Sequence, residues 1–155
     1  MNGLRIVFLD VDGVLNCLAT FREKRPGGVA LDVNKVALVG ALCRRTGAKV
    51  VISSSWRHGR GSMGRLREWL HERGLPRHYV IGRTPNRAGL VGKVWRAPCR
   101  GDEIAAWCEA HPVDAFVILD DDADMGALSA HLVRTTFDTG LTPEHCERAA
   151  KMLTP

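Results

Sequence analysis

Two unbroken apolar runs, each followed at once by aspartates, constrain the fold of this 155-residue chain more than any other feature. The runs are Ile6–Leu9 and Phe116–Leu119, and neither alternates between apolar and polar residues. A strand with such a run is buried on both of its faces, as the strands of a parallel sheet are. The sequence therefore predicts a parallel sheet that is covered by helices on both faces.

Strand and helix patterns alternate along the rest of the chain. Short apolar runs predict five strands, at Leu4–Leu9, Lys49–Ile52, Tyr79–Gly82, Ala115–Leu119 and His131–Thr135. Helical spacing predicts helices at Val33–Arg45, Ser62–Arg73, Asp102–His111 and from Thr142 to Leu153. Recurring Gly and Pro predict irregular structure at Arg22–Ala30 and Arg83–Arg100. This order is typical of an α/β, doubly wound, mainly parallel sheet flanked by helices.

Length and composition favour one domain that spans residues 1–155. The chain is 45% hydrophobic and 25% charged, which is near the average for globular proteins. Its five cysteines lack CxxC spacing, so they predict neither a disulfide framework nor a zinc site. Its start does not match a signal peptide, and its apolar runs are far shorter than the ~20 residues of a membrane helix. We therefore expect a cytoplasmic protein with no membrane partner.

Aspartates gather after two of the predicted strands. Six of the ten aspartates lie within residues 10–12 and 120–124, while Ser53, Ser54 and Ser55 follow the second strand. Because ligands of open α/β sheets bind at the carboxyl ends of the strands, we expect these side chains to meet. Crowded carboxylates repel one another, and an all-oxygen site that also takes substrate phosphate suits Mg²⁺. A carboxylate beside the metal can then act as a nucleophile.

Each piece also has a structural interpretation. A lone Asp-x-Asp-Gly is often a turn, three serines are often a polar turn, and Asp122 and Asp124 are typical of a solvated loop or a helix cap. What favours a catalytic site is the order of the pieces, because each directly follows a predicted parallel strand.

Three segments carry a resemblance to a known superfamily. Phe8–Asn16, Val50–Ser53 and Val117–Asp121 resemble the first, second and fourth motifs of the haloacid dehalogenase (HAD) superfamily of phosphohydrolases. The resemblance implies a Rossmann-like fold and a Mg²⁺-dependent phosphatase, a hydrolase that works through an aspartyl-phosphate. Asp10 would be the nucleophile, and Asp12 would be the general acid and base.

The resemblance also implies the ligands of metal and phosphate. Mg²⁺ would be held by the Asp10 carboxylate, the Asp12 backbone carbonyl and an acid of the pair Asp120/Asp121. Ser53 would hydrogen-bond a phosphate oxygen, with its neighbour Ser54 as the alternative.

The third motif of the superfamily supplies a basic residue, which is usually Lys. This chain departs from that pattern. Arg100, near the start of a predicted helix, takes this place, and Lys93 is the alternative. Arg can bind phosphate with two parallel hydrogen bonds. Superfamily dehalogenases lack the second Asp of the first motif, so Asp12 favours phosphate chemistry.

The spacing of the motifs leaves no room for a large cap domain, because only Cys17–Leu31 separates the first motif from the next helix. Capless members tend to accept large substrates. Ser53–Arg57 and Arg100–Trp107 also look similar to the phosphatase part of polynucleotide kinase–phosphatases and of RNA-repair domains. The net charge of +5 favours an anionic partner. We expect the substrate to be a phosphorylated small molecule or a phosphorylated nucleic-acid end.

Several side chains near the predicted strand ends fit such a substrate. Trp56 would either stack on a base or pack against the core. The cations are Arg57, Arg60, Arg83, Arg87, Lys93 and Arg96, although each arginine taken singly is more typical of a solvated surface.

Two other classes of protein fit part of the pattern. A receiver-type phosphoacceptor domain also gathers acids, a hydroxyl and a basic residue at parallel strand ends. Its paired acids normally follow the first strand and its phosphorylated Asp the third, an order that this chain does not have. A non-catalytic nucleic-acid-binding module would explain the positive charge, but it needs none of Asp10, Asp12, Ser53 or Asp120.

Overall fold

A central sheet of five parallel strands is the frame of the structure. The computed structural model describes residues 3–87, 89–91, 93–96 and 99–155, without the side chains of 89–91 and 96. In chain order the strands are β1 Leu4–Leu9, β2 Lys49–Ile52, β3 Val80–Arg83, β4 Gly89–Val91, β5 Val94–Arg96, β6 Val113–Asp120 and β7 Leu132–Arg134. The sheet has the order β3-β2-β1-β6-β7, and β4 and β5 form a separate antiparallel hairpin. Strand β1 therefore lies at the centre, between β2 and β6.

Helices cover both faces of the sheet. They are α1 Leu18–Glu23, α2 Val33–Thr46, α3 Ser62–Glu72, α4 Arg100–Ala110 and α5 Pro143–Leu153. Val7 and Leu9 of β1 belong to a core formed with α2, α3 and α5, whereas Ile6 and Phe8 belong to a second core formed with α4. Successive side chains of a strand point to opposite faces, so the part of β1 between the two cores, Ile6–Leu9, is apolar throughout. The predicted doubly wound α/β class is confirmed.

The two segments predicted to be irregular contain short elements. Helix α1 runs into the first of them, and the hairpin of β4 and β5 lies within the second, so the prediction for 83–100 was wrong at the strands. Positions 88, 92, 97 and 98 of that segment lie outside the described residues. Neither α1 nor the hairpin amounts to a large cap domain. Among the described residues, no helix combines the length and the apolar character that crossing a bilayer requires.

Candidate active site

The carboxyl ends of β1, β2 and β6 bring Asp10, Ser53 and Asp120 to one end of the sheet, which we call the carboxyl edge. Leu9 is in register with Ile52 of β2 and with Leu119 of β6. The hydrogen-bond ladder continues one residue further, because Ser53 N–H donates to the Leu9 carbonyl and Asp10 N–H to the Leu119 carbonyl, each over 3.0 Å. The three polar residues therefore leave the sheet from adjacent backbone positions.

Asp10, Asp120 and Asp121 form an acid cluster at this edge. One carboxylate oxygen of each residue lies within 4.8 Å of those of the other two. Asp120 is fully buried, and Asp10 is 5% exposed. Burial, together with the charge of Asp120, raises the pKa of Asp10 to about 7. The same two causes raise the pKa of Asp121.

The acid cluster fits a divalent cation such as Mg²⁺. Carboxylates are the hard oxygen ligands that Mg²⁺ prefers, and a cation among them would remove the cost of ionising all three. Within the described ranges, no other group of three His, Cys, Asp or Glu side chains meets as closely. The carboxylate of Asp12 is not part of the cluster.

Arg100 is the cation that faces the acid cluster. Its Nη1 lies 3.1 Å from Asp10 Oδ1 and 2.7 Å from Asp120 Oδ2. Although burial opposes its charge, the two carboxylates raise the pKa of Arg100 above its ordinary value. Lys93, the alternative for this position, is exposed in the turn between β4 and β5 and has no ion pair with a described residue. The structure thus brings Arg100 to the acids, and not Lys93.

Arg100 reaches this position because the first turn of α4 packs closely on the loop after β6. Gly101 N–H donates to the Asp124 carbonyl over 3.1 Å, and a Cβ at Gly101 would collide with the backbone of Met125. The Asp124 carboxylate also accepts from the backbone N–H of Arg100 at 3.4 Å. Asp124 itself lies in the exposed loop after β6, so its interpretation as a residue of a solvated loop agrees with the structure.

The carboxylate of Asp12 is held by two donors. Asn16 Nδ2 donates to Oδ1 over 2.9 Å, and Trp56 Nε1 donates to Oδ2 over 3.2 Å. Asn16 is fully buried, and its Oδ1 accepts from the N–H of Gly13, so it closes the turn after β1. Asp12 itself is exposed to solvent. Its carboxylate is thus oriented by the protein yet accessible from outside.

Ser53 and Ser54 differ in the use of their hydroxyls. Both residues are buried. Ser54 Oγ accepts from the backbone N–H of Trp56 over 3.1 Å and caps the short 3₁₀ turn Ser55–Arg57. Ser53 Oγ has no hydrogen-bond partner among the described residues, an uncommon state for a buried hydroxyl. Of the two serines, only Ser53 thus has a hydroxyl with no partner among the described residues, whereas the Ser54 hydroxyl accepts one hydrogen bond and keeps its own proton to donate.

Arg57 is part of the framework of the site and is not an open cation, so its interpretation as a solvated or substrate-facing residue was wrong. Its side chain is buried and forms an ion pair with buried Glu103. Nη2 of Arg57 lies 2.9 Å from Oε2 of Glu103. Nη1 donates to the carbonyls of Ser53 and Ser54 over 3.0 and 2.8 Å, and Nε donates to the carbonyl of Thr84 over 3.1 Å. Arg57 thus joins the ends of β2 and β3 to helix α4.

The remaining predicted cations do not contact the acid cluster in the described part of the chain. Arg60, Arg83 and Arg87 are exposed, and the side chain of Arg96 lies outside the described residues. Trp56 is half-buried against the core, as one of its two interpretations has it, and its ring meets that of Trp69 edge-on at 6.3 Å between centroids.

The roles of Asn16, Trp56 and Glu103 at the site had no clear sequence signal. Asn16 and Trp56 stand next to the recognised motifs, but nothing in their spacing indicates a hydrogen bond to Asp12. Glu103 reads as an ordinary first-turn acid of a helix. Asn16 and Trp56 follow predicted strands, which is the one signal that could have placed them close together, and Glu103 had no such signal.

A parallel sheet with Asp-x-Asp after its central strand, a second acid pair at the end of β6 and a cation beside both agrees with the arrangement expected of a HAD-superfamily phosphatase domain. Residues 6–146 match the family described as the HAD domain in Swiss Army Knife RNA repair proteins, and the chain belongs to this family. No curated protein matches the chain.

Proposed function

We propose that residues 1–155 act as one Mg²⁺-dependent phosphomonoester hydrolase, with a phosphorylated nucleic-acid end as substrate. The observation that carries this proposal is the acid cluster of Asp10, Asp120 and Asp121, which Arg100 joins at 2.7 Å from Asp120. An acid cluster beside a cation and a free hydroxyl can hold both a metal and a phosphate.

Mg²⁺ would be held by the carboxylates of the acid cluster and by the backbone carbonyl of Asp12. When bound, it supplies positive charge that neutralises the carboxylates and the phosphate and orients the phosphate. The phosphate itself would be bound by the chain. Ser53 Oγ would donate to one of its oxygens, and Arg100 would donate to another while staying close to Asp10.

In the first half of the reaction, the Asp10 carboxylate attacks phosphorus. A bond forms between an Asp10 oxygen and phosphorus, and the bond from phosphorus to the leaving oxygen breaks. Asp12 gives its proton to that oxygen, so the product leaves as an alcohol. The result is an aspartyl-phosphate on Asp10 and an ionised Asp12.

In the second half, Asp12 accepts a proton from a water molecule as the water oxygen attacks phosphorus. The bond between Asp10 and phosphorus breaks, inorganic phosphate leaves and both aspartates return to their starting states. The hydrogen bonds from Asn16 and Trp56 keep Asp12 in place for both transfers. A side chain that acts first as acid and then as base needs such a fixed position.

Two observations favour a nucleic-acid end over other phosphomonoesters. The family to which the chain belongs is that of the HAD domain in Swiss Army Knife RNA repair proteins. The net charge of +5 and the exposed arginines Arg60 and Arg83 would also attract a polyanion.

The test is a comparison of Asp10→Asn with the wild type on p-nitrophenyl phosphate and on 3′- and 5′-phosphorylated oligonucleotides. We expect turnover that requires Mg²⁺ and is abolished in Asp10→Asn. The matched control is Asp114→Asn, because Asp114 is exposed at the opposite end of β6. Equal turnover by Asp10→Asn and the wild type would overturn the proposal. So would a stable phosphorylated Asp10 without turnover, or binding of single strands without hydrolysis.

A further inference from the structure

A basic cavity lies beside the carboxyl edge, at the end of β3. It has a volume of about 440 Å³ and is lined by residues 57–60 and 83–86. A second cavity of about 480 Å³ adjoins it and shares Gly59, Arg60 and Arg83. Neither cavity is lined by an acidic residue within the described ranges. The lining therefore favours an anionic ligand.

We propose that this basic cavity binds a backbone phosphodiester of a nucleic-acid strand whose terminal phosphate lies at the acid cluster. The inference rests on the proposed function and deepens it, since it names where the polynucleotide is bound beyond its terminal phosphate. It also assigns the binding of the phosphodiester to residues outside the acid cluster.

The position of the cavity fits a neighbouring phosphate of the same strand. Thr84 follows β3 as Ser53 follows β2, since Thr84 N–H donates to the Ile52 carbonyl over 3.0 Å. Strand β3 is two strands away from β1 in the sheet. Neighbouring strands lie roughly 4.8 Å apart, so the cavity is about 10 Å from Asp10 along the carboxyl edge. A short single strand can bridge that separation.

Three groups of the cavity have hydrogen-bonding capacity to spare. Arg60 is exposed, and no hydrogen bond or ion pair joins it to the described residues. Among the described residues, Arg83 bonds through Nη1 alone, which donates to the Arg57 carbonyl over 2.8 Å. Thr84 is 2% exposed, and its Oγ1 has no partner in the described part of the chain.

These groups match the chemistry of a phosphodiester. Guanidinium groups and hydroxyls both donate to phosphate oxygens, and guanidinium does so with charge assistance. Arg57 also lines the cavity, but its guanidinium is already occupied by hydrogen bonds to Glu103 and to four backbone carbonyls. We therefore assign the binding to Arg60, Arg83 and Thr84.

The first arm of the test measures binding without turnover. A fluorescently labelled, terminally phosphorylated single strand is titrated with the Asp10→Asn protein at salt concentrations between about 50 and 200 mM. Each phosphate contact with a single strand contributes about 0.7 to the slope of log K against log salt. We expect Arg60→Gln to make this slope shallower by about 0.7, and the double variant Arg60→Gln/Arg83→Gln by about 1.4.

The matched control is Arg148→Gln in the same background. Arg148 is exposed on α5, which packs against α2, β6 and β7, away from the cavity. Arg148→Gln removes the same charge from the molecule as Arg60→Gln does. The two variants therefore differ only in whether a contact in the cavity is lost. Arg60→Gln is also the variant least able to disturb folding, because Arg60 contacts no described residue through a hydrogen bond. Equal slopes for Arg60→Gln and Arg148→Gln would overturn the inference.

The second arm separates this inference from the proposed function. In proteins with an intact Asp10, we expect Arg60→Gln to lower the ratio of kcat/KM for the oligonucleotide to kcat/KM for p-nitrophenyl phosphate. If the wild type hydrolyses p-nitrophenyl phosphate but this ratio does not change, the cavity inference fails alone. If no phosphomonoester is hydrolysed but the salt slopes differ as expected, the proposed function fails and the anion-binding cavity remains.

Discussion

The indole N–H of Trp56 donates to Oδ2 of Asp12 over 3.2 Å. This hydrogen bond joins the loop after β2 to the loop after β1. The other carboxylate oxygen of Asp12 accepts from Asn16. Asp12 is therefore fixed from two sides although it is exposed to solvent. Trp56 is itself positioned by its edge-on contact with Trp69.

Replacing the indole tests this relationship. Trp56→Phe keeps an aromatic ring against the core but loses the donor to Asp12. A hydrogen bond of this kind contributes about 1 kcal/mol, so we expect kcat to fall about fivefold while KM changes little. Steady-state kinetics with Trp95→Phe as the control measures this, because Trp95 is exposed in the hairpin and contacts neither Asp12 nor Trp56 among the described residues. Equal kcat values for the two variants would contradict the prediction.

Gly13 adopts φ 78°, and a Cβ at this position would collide with the Asp121 carboxylate. We expect Gly13→Ala to displace Asp121 from the acid cluster and to weaken Mg²⁺ binding at least tenfold, as loss of a ligand-supporting contact commonly does. Calorimetric titration with Mg²⁺ measures the affinity. The control is Gly47→Ala, which has a similar φ of 72° but open space around the added Cβ. The same loss of affinity in both variants would mean that backbone strain, not displacement of Asp121, is the cause.

The buried ion pair of Arg57 and Glu103 has side chains that are each 3% exposed. Removal of one partner leaves the other charge buried without compensation. We expect Glu103→Ala to lower the free energy of unfolding by about 3–5 kcal/mol. Chemical denaturation measures it, with Glu147→Ala as the control, because the Arg45–Glu147 pair is more than half exposed and contributes little. A loss for Glu103→Ala as small as that of the control would contradict the prediction.

The raised pKa of Asp10 makes the stability of the metal-free protein depend on pH. Folding raises this pKa from 3.8 to about 7, so between these values the folded state holds a proton that the unfolded state has released. The contribution of Asp10 to the free energy of unfolding is therefore fully present below pH 3.8 and decreases as pH rises to about 7. Asp10→Asn should lack this decrease.

Thermal unfolding of the two proteins in EDTA, measured across this pH range, checks the prediction. The difference between them isolates Asp10 from the other titrating groups. A difference in Tm that does not change with pH would contradict it. Added Mg²⁺ should stabilise the wild type more as pH rises, because the ion competes with the proton for Asp10.

The sequence predicted the parts of the structure that are fixed by local patterns. The predicted bounds of β1 and β2 agree with the structure, because each strand is a short, mostly apolar run that ends at a polar residue. Helix α1, with six residues, and the hairpin of β4 and β5 were missed, because each is too short for a readable period. The location of Asp10, Ser53 and Asp120 followed from strand order alone, and their catalytic roles stay predictions.

Contacts between distant segments were beyond the reach of the sequence. Arg57 and Glu103 are 46 residues apart, and Trp56 and Asp12 are 44 apart. Nothing in the local pattern distinguishes Arg57, which is buried, from Arg60, which is exposed. The choice between Arg100 and Lys93 likewise depended on how α4 packs on the loop after β6.

The central place of β1 has a consequence for how the protein is made. Strand β1 is completed first on the ribosome, but its partner β6 begins only at Val113. Until then one edge of a mostly apolar strand lacks its neighbour, and such an edge is prone to pair with another chain. The acid cluster also cannot form before Asp120 and Asp121 are made. Hydrolytic activity would thus appear only when the sheet is complete, which makes it a sensitive reporter of folding during synthesis.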